Sequence, residues 1–171
     1  EGVFVYPDRI YQSITTPMGE MSMVLMGDDG WMKSPQGTMP LPETMKKNLK
    51  ENISRDPVYL FAYAKDVQVQ YLGEKTFGEG KAIALLVTGK EGTFHLYLDP
   101  ATYLPTGASF HTIGMQGPAD VEEFFSDYRD VAGVKLPFKT LTNANGEKAS
   151  EVTVKEIKTN VPIDPRWFQK E

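Results

Sequence analysis

Apolar and polar residues alternate with a period of two over much of the chain. Val67, Val69 and Tyr71 alternate with Gln68 and Gln70, and Phe94, Leu96 and Leu98 with His95 and Tyr97. Val134, Leu136 and Phe138 alternate with Lys135 and Pro137, and Val152 and Val154 with Glu151, Thr153 and Lys155. Each stretch has one apolar and one polar or mixed face, which predicts half-buried antiparallel strands. The run Ala82–Val87 has no polar face and predicts a central strand covered on both sides. Turn chemistry separates the runs: Gly27-Asp28-Asp29-Gly30, Gly89-Lys90-Glu91-Gly92, Asp99-Pro100-Ala101-Thr102 and Asn145-Gly146. Short connections make successive strands antiparallel neighbours, so the expected order is a meander of about seven to nine strands.

One segment changes period. From Leu41 to Ile53, Met45, Leu49 and Ile53 recur every four residues among Lys, Glu and Asn. This predicts a helix with a narrow apolar stripe, Pro42 at its first position and Glu43 at its positive end. Asp56-Pro57 breaks it, and Val58–Ala64 predicts a short second helix. Asp164-Pro165-Arg166-Trp167-Phe168 predicts one last helical turn, pinned by two aromatic rings.

Composition narrows the chemistry. The 171 residues suit one domain, and they contain no cysteine, which removes disulfides, thiol nucleophiles and cysteine zinc sites together. The net charge of −5 argues against a nucleic-acid partner. No apolar run approaches the ~20 residues of a membrane-spanning helix. Glu1 is followed at once by strand-like residues, as expected of a processed form or of a domain from a longer chain.

Catalytic and metal signatures are missing. The two histidines, His95 and His111, fall on separate predicted strands without the helical spacing of zinc peptidases, and read as isolated side chains. Asp120, Glu122, Glu123, Asp127 and Asp130 put carboxylates on opposite faces of a strand and read as a solvated sheet edge. Asp127–Asp130 with Gly133 reads as a turn, and Arg129 as a structural partner of a nearby carboxylate. There is no nucleophile elbow and no phosphate-binding glycine loop. Asn52-Ile53-Ser54 matches a glycosylation acceptor but lies on the predicted helix. No catalytic residue, metal ligand or cofactor is expected. Methionine is the remaining signal: Met18, Met21, Met23, Met26, Met32 and Met39 precede the helix and Met45 lies on it. Such a set suits either an adaptable apolar surface or an ordinary core.

The residues resemble a known family. Pro7-Asp8-Arg9-Ile10-Tyr11-Gln12, Gly27-Asp28-Asp29-Gly30-Trp31 and Leu98-Asp99-Pro100-Ala101-Thr102-Tyr103-Leu104-Pro105 resemble segments of the LolA/LolB-like lipoprotein-carrier superfamily. Ser126-Asp127-Tyr128-Arg129-Asp130-Val131 through Phe138, and Pro162–Phe168, are similar to its later strand pair and its ending. The resemblance spans Tyr6 to Lys170. It implies an α+β fold: a strongly curved antiparallel sheet, an unclosed half-barrel in meander order, with one main helix and a short second helix over the concave face. Residues 1–171 would form one such domain, lacking the family's N-terminal helix and first strands.

The implied function is that of a periplasmic, non-catalytic binding module for lipid or lipoprotein acyl chains. The alternative is an accessory domain like those appended to insulinase-type zinc peptidases of Gram-negative bacteria, with the catalytic domains elsewhere and other peptidase domains as its partners. The candidate hydrophobic site is Met21, Met23, Trp31, Met45, Leu49, Ile53 and Phe61. In this reading the helix is a lid, and Trp31 with the preceding methionines is the floor.

Overall fold

A computed structural model describes residues 1–17, 19–114 and 117–170. These divide into two compact units: Glu1–Ala64 with the C-terminal residues from Pro162, and Lys65–Val161. Each contains one antiparallel sheet in meander order, and neither sheet closes on itself. The architecture is thus antiparallel and meander-ordered, as the alternation and turns predict, and α+β with unclosed sheets, as the resemblance implies. The strands are more numerous than expected. Among the described residues there are twelve, shared between two sheets.

The first sheet has five strands: β1 (Gly2–Val5), β2 (Arg9–Thr16), β3 (Gly19–Met26), β4 (Asp29–Ser34) and β5 (Gly37–Pro40). Two-residue connections set its register. Gly27-Asp28 pairs Met26 with Asp29, and Pro35-Gln36 pairs Ser34 with Gly37. Two helices follow, α1 (Glu43–Arg55) and α2 (Pro57–Ala62). Pro42 is the N-cap of α1 rather than its first helical residue. Asp56 caps α2, accepting hydrogen bonds from the Val58 and Tyr59 amides at 2.8 and 3.4 Å. The same Asp56 oxygen accepts from the Tyr6 hydroxyl at 2.7 Å. Burial, and after it the neighbouring Asp56 charge, push the Tyr6 phenol well above its ordinary pKa.

The core of this unit lies between α1 and one face of the sheet. Ile10, Leu25, Leu41, Leu49 and Ile53 form it, with Tyr6, Met23, Met32, Met45 and Tyr59 packed around them. Gly30 lets the helix come this close: a Cβ there would sit 3.0 Å from Leu41 Cδ1 and 3.1 Å from Lys46 Cγ. The predicted final turn is a 3₁₀ turn, Pro165–Phe168. It packs on β3, and Trp167 stacks on Tyr11 with ring centres 6.2 Å apart.

The second sheet runs β6 (Gln68–Phe77), β7 (Gly80–Gly89), β8 (Gly92–Leu98), β9 (Pro105–Gly114), β10 (Gly117–Val131), β11 (Val134–Ala144) and β12 (Glu147–Thr153). Asn145-Gly146 forms the predicted hairpin, with φ of 51° and 82°. Three expectations need correction. The Ala82–Val87 strand is β7, one place from the edge rather than central. Asp120, Glu122 and Glu123 lie where β10 is paired with both β9 and β11, not at a sheet edge, while Asp127 and Asp130 lie beyond the last pair with β9. The turn expected over Asp127–Asp130 with Gly133 is confined to its end, Ala132-Gly133 with φ of 53° and 84°. β10 runs on past Asp127, which keeps a φ of 53° inside the strand. Arg129 does pair with a carboxylate: it bonds Asp127 at 2.6 and 3.1 Å and lies 4.4 Å over the Phe138 ring.

Candidate functional site

Strand register sorts the candidate residues onto faces. A strand sends alternate side chains to opposite sides, and directly opposed residues share a side. Ile10 opposes Leu25, Gln12 opposes Met23, and Ile14 opposes Met21. Met23 in turn opposes Met32, and Met32 opposes Met39. Met23, Met32 and Met39 therefore form an unbroken row across β3, β4 and β5, on the face that carries α1. Opposed side chains in such a row have Cβ atoms about 4.5–5.5 Å apart.

The row begins where the packed core ends. Leu25 and Ile10, under the helix, are 0% and 1% exposed. Met21, Met23 and Met32 are half-buried, and Met45 reaches the same cluster from α1. Met39 at the end of the row is 51% exposed, and Ile14 is 58% exposed. The face thus grades from a close-packed core to an open apolar margin of thioethers and one isoleucine. Unbranched, polarizable methionines can adjust their shape to an apolar guest at low cost.

The predicted site residues separate into four groups. Met21, Met23 and Met45 come together at this margin, joined by Met32 and Met39. Leu49 and Ile53 share the face but are 6% and 2% exposed and lie in the core, so a ligand reaches them only if α1 moves. Trp31 does not join them. It opposes Val24 and Pro40 and therefore points to the other side of the sheet, where it is 4% exposed. Its indole Nε1 finds no hydrogen-bond partner among the described residues. Phe61, on α2, stands 88% exposed outside the core cluster. Met18 lies outside the described residues.

Met32 and Met39 were within reach of sequence reasoning as site residues. A two-residue turn at Gly27-Asp28 pairs position 23 with 32, and one at Pro35-Gln36 pairs 32 with 39. Counting from the turns finds the row; a helical stripe does not.

Two further clefts have mixed polar and apolar linings. One, of about 440 Å³, lies on the Trp31 side of the first sheet, lined by Tyr11, Glu20, Ser22, Lys33 and Arg166 among others. Arg166 is engaged by Asp164, with contacts of 2.6–3.1 Å. The other, of about 690 Å³, lies on the second sheet and is lined by both His95 and His111, which lie on separate strands. Pairing of β8, β9 and β10 puts His95, Ser109 and Glu122 on the same face as His111 and Asp120. His111 Nδ1 lies 3.0 Å from Asp120 Oδ1, both side chains largely exposed. No group of three or more His, Asp or Glu among the described residues is placed to hold a metal ion.

No protein-family model and no curated protein matches the chain by sequence. Solved structures do match it in three dimensions. A putative outer-membrane lipoprotein-sorting protein domain from Vibrio parahaemolyticus aligns with a TM-score of 0.55 and 12% identity, covering 92% of this chain and 79% of that one. A LolA superfamily protein from Nitrosomonas europaea aligns at 0.55 and 14%, covering 93% and 78%. A DUF1329 family protein from Desulfovibrio piger aligns at 0.59 and 12%, covering 95% and 75%.

The fold is LolA-like. At these identities the likeness establishes the fold, and function has to be argued from this chain's own residues. No helix among the described residues is long and apolar enough to cross a membrane.

Proposed function

We propose that residues 1–171 act as one non-catalytic, periplasmic binding module of the lipoprotein-carrier kind, taking an acyl chain on the methionine-rich margin of the first sheet. The observation that carries this reading is the row Met23–Met32–Met39. It is continuous across three strands, flanked by Met21, Ile14 and Met45, and open at Met39 and Ile14. Apolar surface left exposed in a connected strip marks a place where something apolar docks. The LolA-like fold and the LolA-type sequence segments support the same reading.

Met21, Met23, Met32, Met39 and Met45 would line the acyl chain. Leu49 and Ile53 would hold α1 in place beside it, and Trp31 would support the sheet from behind. Binding here is dispersion and exclusion of water, at roughly 25 cal/mol per Å² of apolar surface covered. No proton transfer, nucleophile or metal is needed.

Titration with the fluorescent fatty acid cis-parinaric acid tests the reading. The wild-type chain binds it, and Met39→Lys, which places a charge at the open end of the row, weakens binding about tenfold with an unchanged circular dichroism spectrum. Equal affinity in both proteins, or none in the wild type, would overturn the proposal.

A further inference from the structure

The composition of the apolar margin has a chemical consequence. A row of leucines would bind an acyl chain as well as a row of methionines, but only thioethers are oxidised under mild conditions. Three of them are adjacent here, and the outermost, Met39, is half exposed. Met26 supplies an internal comparison: it is 38% exposed but belongs to the opposite face, since it neighbours Leu25 along β3. An oxidant in solvent reaches both sulfurs, and only one of them lies on the proposed binding face.

We propose that Met39 is an oxidation site through which a peroxide lowers the affinity of the methionine row for its apolar ligand. This rests on the binding role proposed above and adds a control to it. In the step, the Met39 sulfur attacks one peroxide oxygen and the O–O bond breaks. A sulfur–oxygen bond forms, and the second oxygen leaves as water once protonated. Sulfur is oxidised by two electrons and the peroxide is reduced by two. The product carries a polar, hydrogen-bonding oxygen where the acyl chain would lie, and covering that oxygen with hydrocarbon is unfavourable. Met23 and Met32 are half-buried and react after Met39. Methionine sulfoxide reductase with a thiol donor removes the oxygen again, which makes the change reversible.

The full chain is treated with increasing hydrogen peroxide, each sulfoxide is located by peptide mass spectrometry, and cis-parinaric acid is titrated at each dose. Met39 and Met26 are expected to be oxidised first, and affinity to fall about tenfold as Met39 converts. Methionine sulfoxide reductase is expected to restore it. Met39→Leu, compared with itself before and after the same dose, should stay within about twofold, while Met26→Leu should start at wild-type affinity and lose it on oxidation. An affinity unmoved by full conversion of Met39, or an equal loss in Met39→Leu, would overturn this inference alone. Failure of the untreated chain to bind the probe would overturn the carrier reading, and this inference with it.

Discussion

In the first unit a row of thioethers crosses β3, β4 and β5; in the second, three aromatic rings stack across β6, β8 and β10. Phe77 lies 3.9 Å from Tyr97 at an interplanar angle of 9°, and 4.8 Å from Phe124 at 21°. Gly107 on β9 lies beneath them, and a Cβ there would collide with the Phe77 ring and the Glu123 carbonyl. Phe77 is 9% exposed, whereas Met39 is 51% exposed. Tyr97, Gly107 and Phe124 are opposed across β8, β9 and β10 as the methionines are across β3, β4 and β5, but the Phe77 ring reaches over Gly107 from β6, and the two rows differ in what their side chains can do. Flat rings over a glycine admit one arrangement and leave no space. Methionines beside a helix admit many, and their outer end is open. The difference marks the aromatic row as structural and leaves the methionine row as the one to which binding is proposed.

The sharpest way to break this comparison is Leu49→Ala. If the packed part of the helical face is true core, the change costs about 2–5 kcal/mol in urea unfolding and leaves fatty-acid affinity unaltered where the protein is folded. A cost well under that range, with altered binding, would make α1 a loose lid and blur the boundary between core and site. Gly107→Ala comes next. Its new methyl group has to push aside a ring and a carbonyl, so a loss of about 1–3 kcal/mol is expected, along with a weaker near-ultraviolet dichroism signal from the stacked rings. A neutral result would show that the aromatic row is as adaptable as the methionine row.

The smallest effect belongs to the exposed edge of the second sheet. Lys139 and Lys148 hydrogen-bond Glu151, at 2.8 and 2.6 Å, and hold its carboxyl down from the ordinary 4.5 to about 2. A lowered folded-state value means that the contribution to stability is present above pH 4.5 and fades as pH falls from there through about 2. Lys139→Ala should move the Glu151 titration back toward 4.5, read by carboxyl-carbon NMR, with little change in unfolding at neutral pH. An unmoved titration would show that Lys139 does not hold the carboxylate.

Much of the fold was legible along the chain. Asn145-Gly146 and Gly27-Asp28 supply the backbone freedom that two-residue turns require, and short turns force antiparallel neighbours. The turn read over Asp127–Asp130 with Gly133 narrows to its end at Ala132-Gly133; the sequence spreads it wider because alanine seldom takes a positive φ and the Asp-rich stretch before it has the stronger turn composition. The helix at Glu43–Arg55 followed from its four-residue spacing and its proline start. The candidate site was legible in part: Met21, Met23 and Met45 belong to a methionine set visible in the sequence, while Trp31, expected on the same floor, has a register that sends it to the other face.

Within a strand, alternation by itself determined which residues share a face, because a two-residue period is a property of the extended backbone. It did not determine which faces are covered. Val69, Tyr71 and Val152 alternate as regularly as Leu136 and Phe138, yet they are 56%, 64% and 53% exposed against 7% and 5%. β6 and β12 are edge strands, and β11 is flanked on both sides. Nor did sequence alone determine that the strands form two sheets, or that Leu49 is core while Met39 is open. Burial depends on how much neighbouring structure reaches a side chain, and that is settled only when helix and sheet have packed.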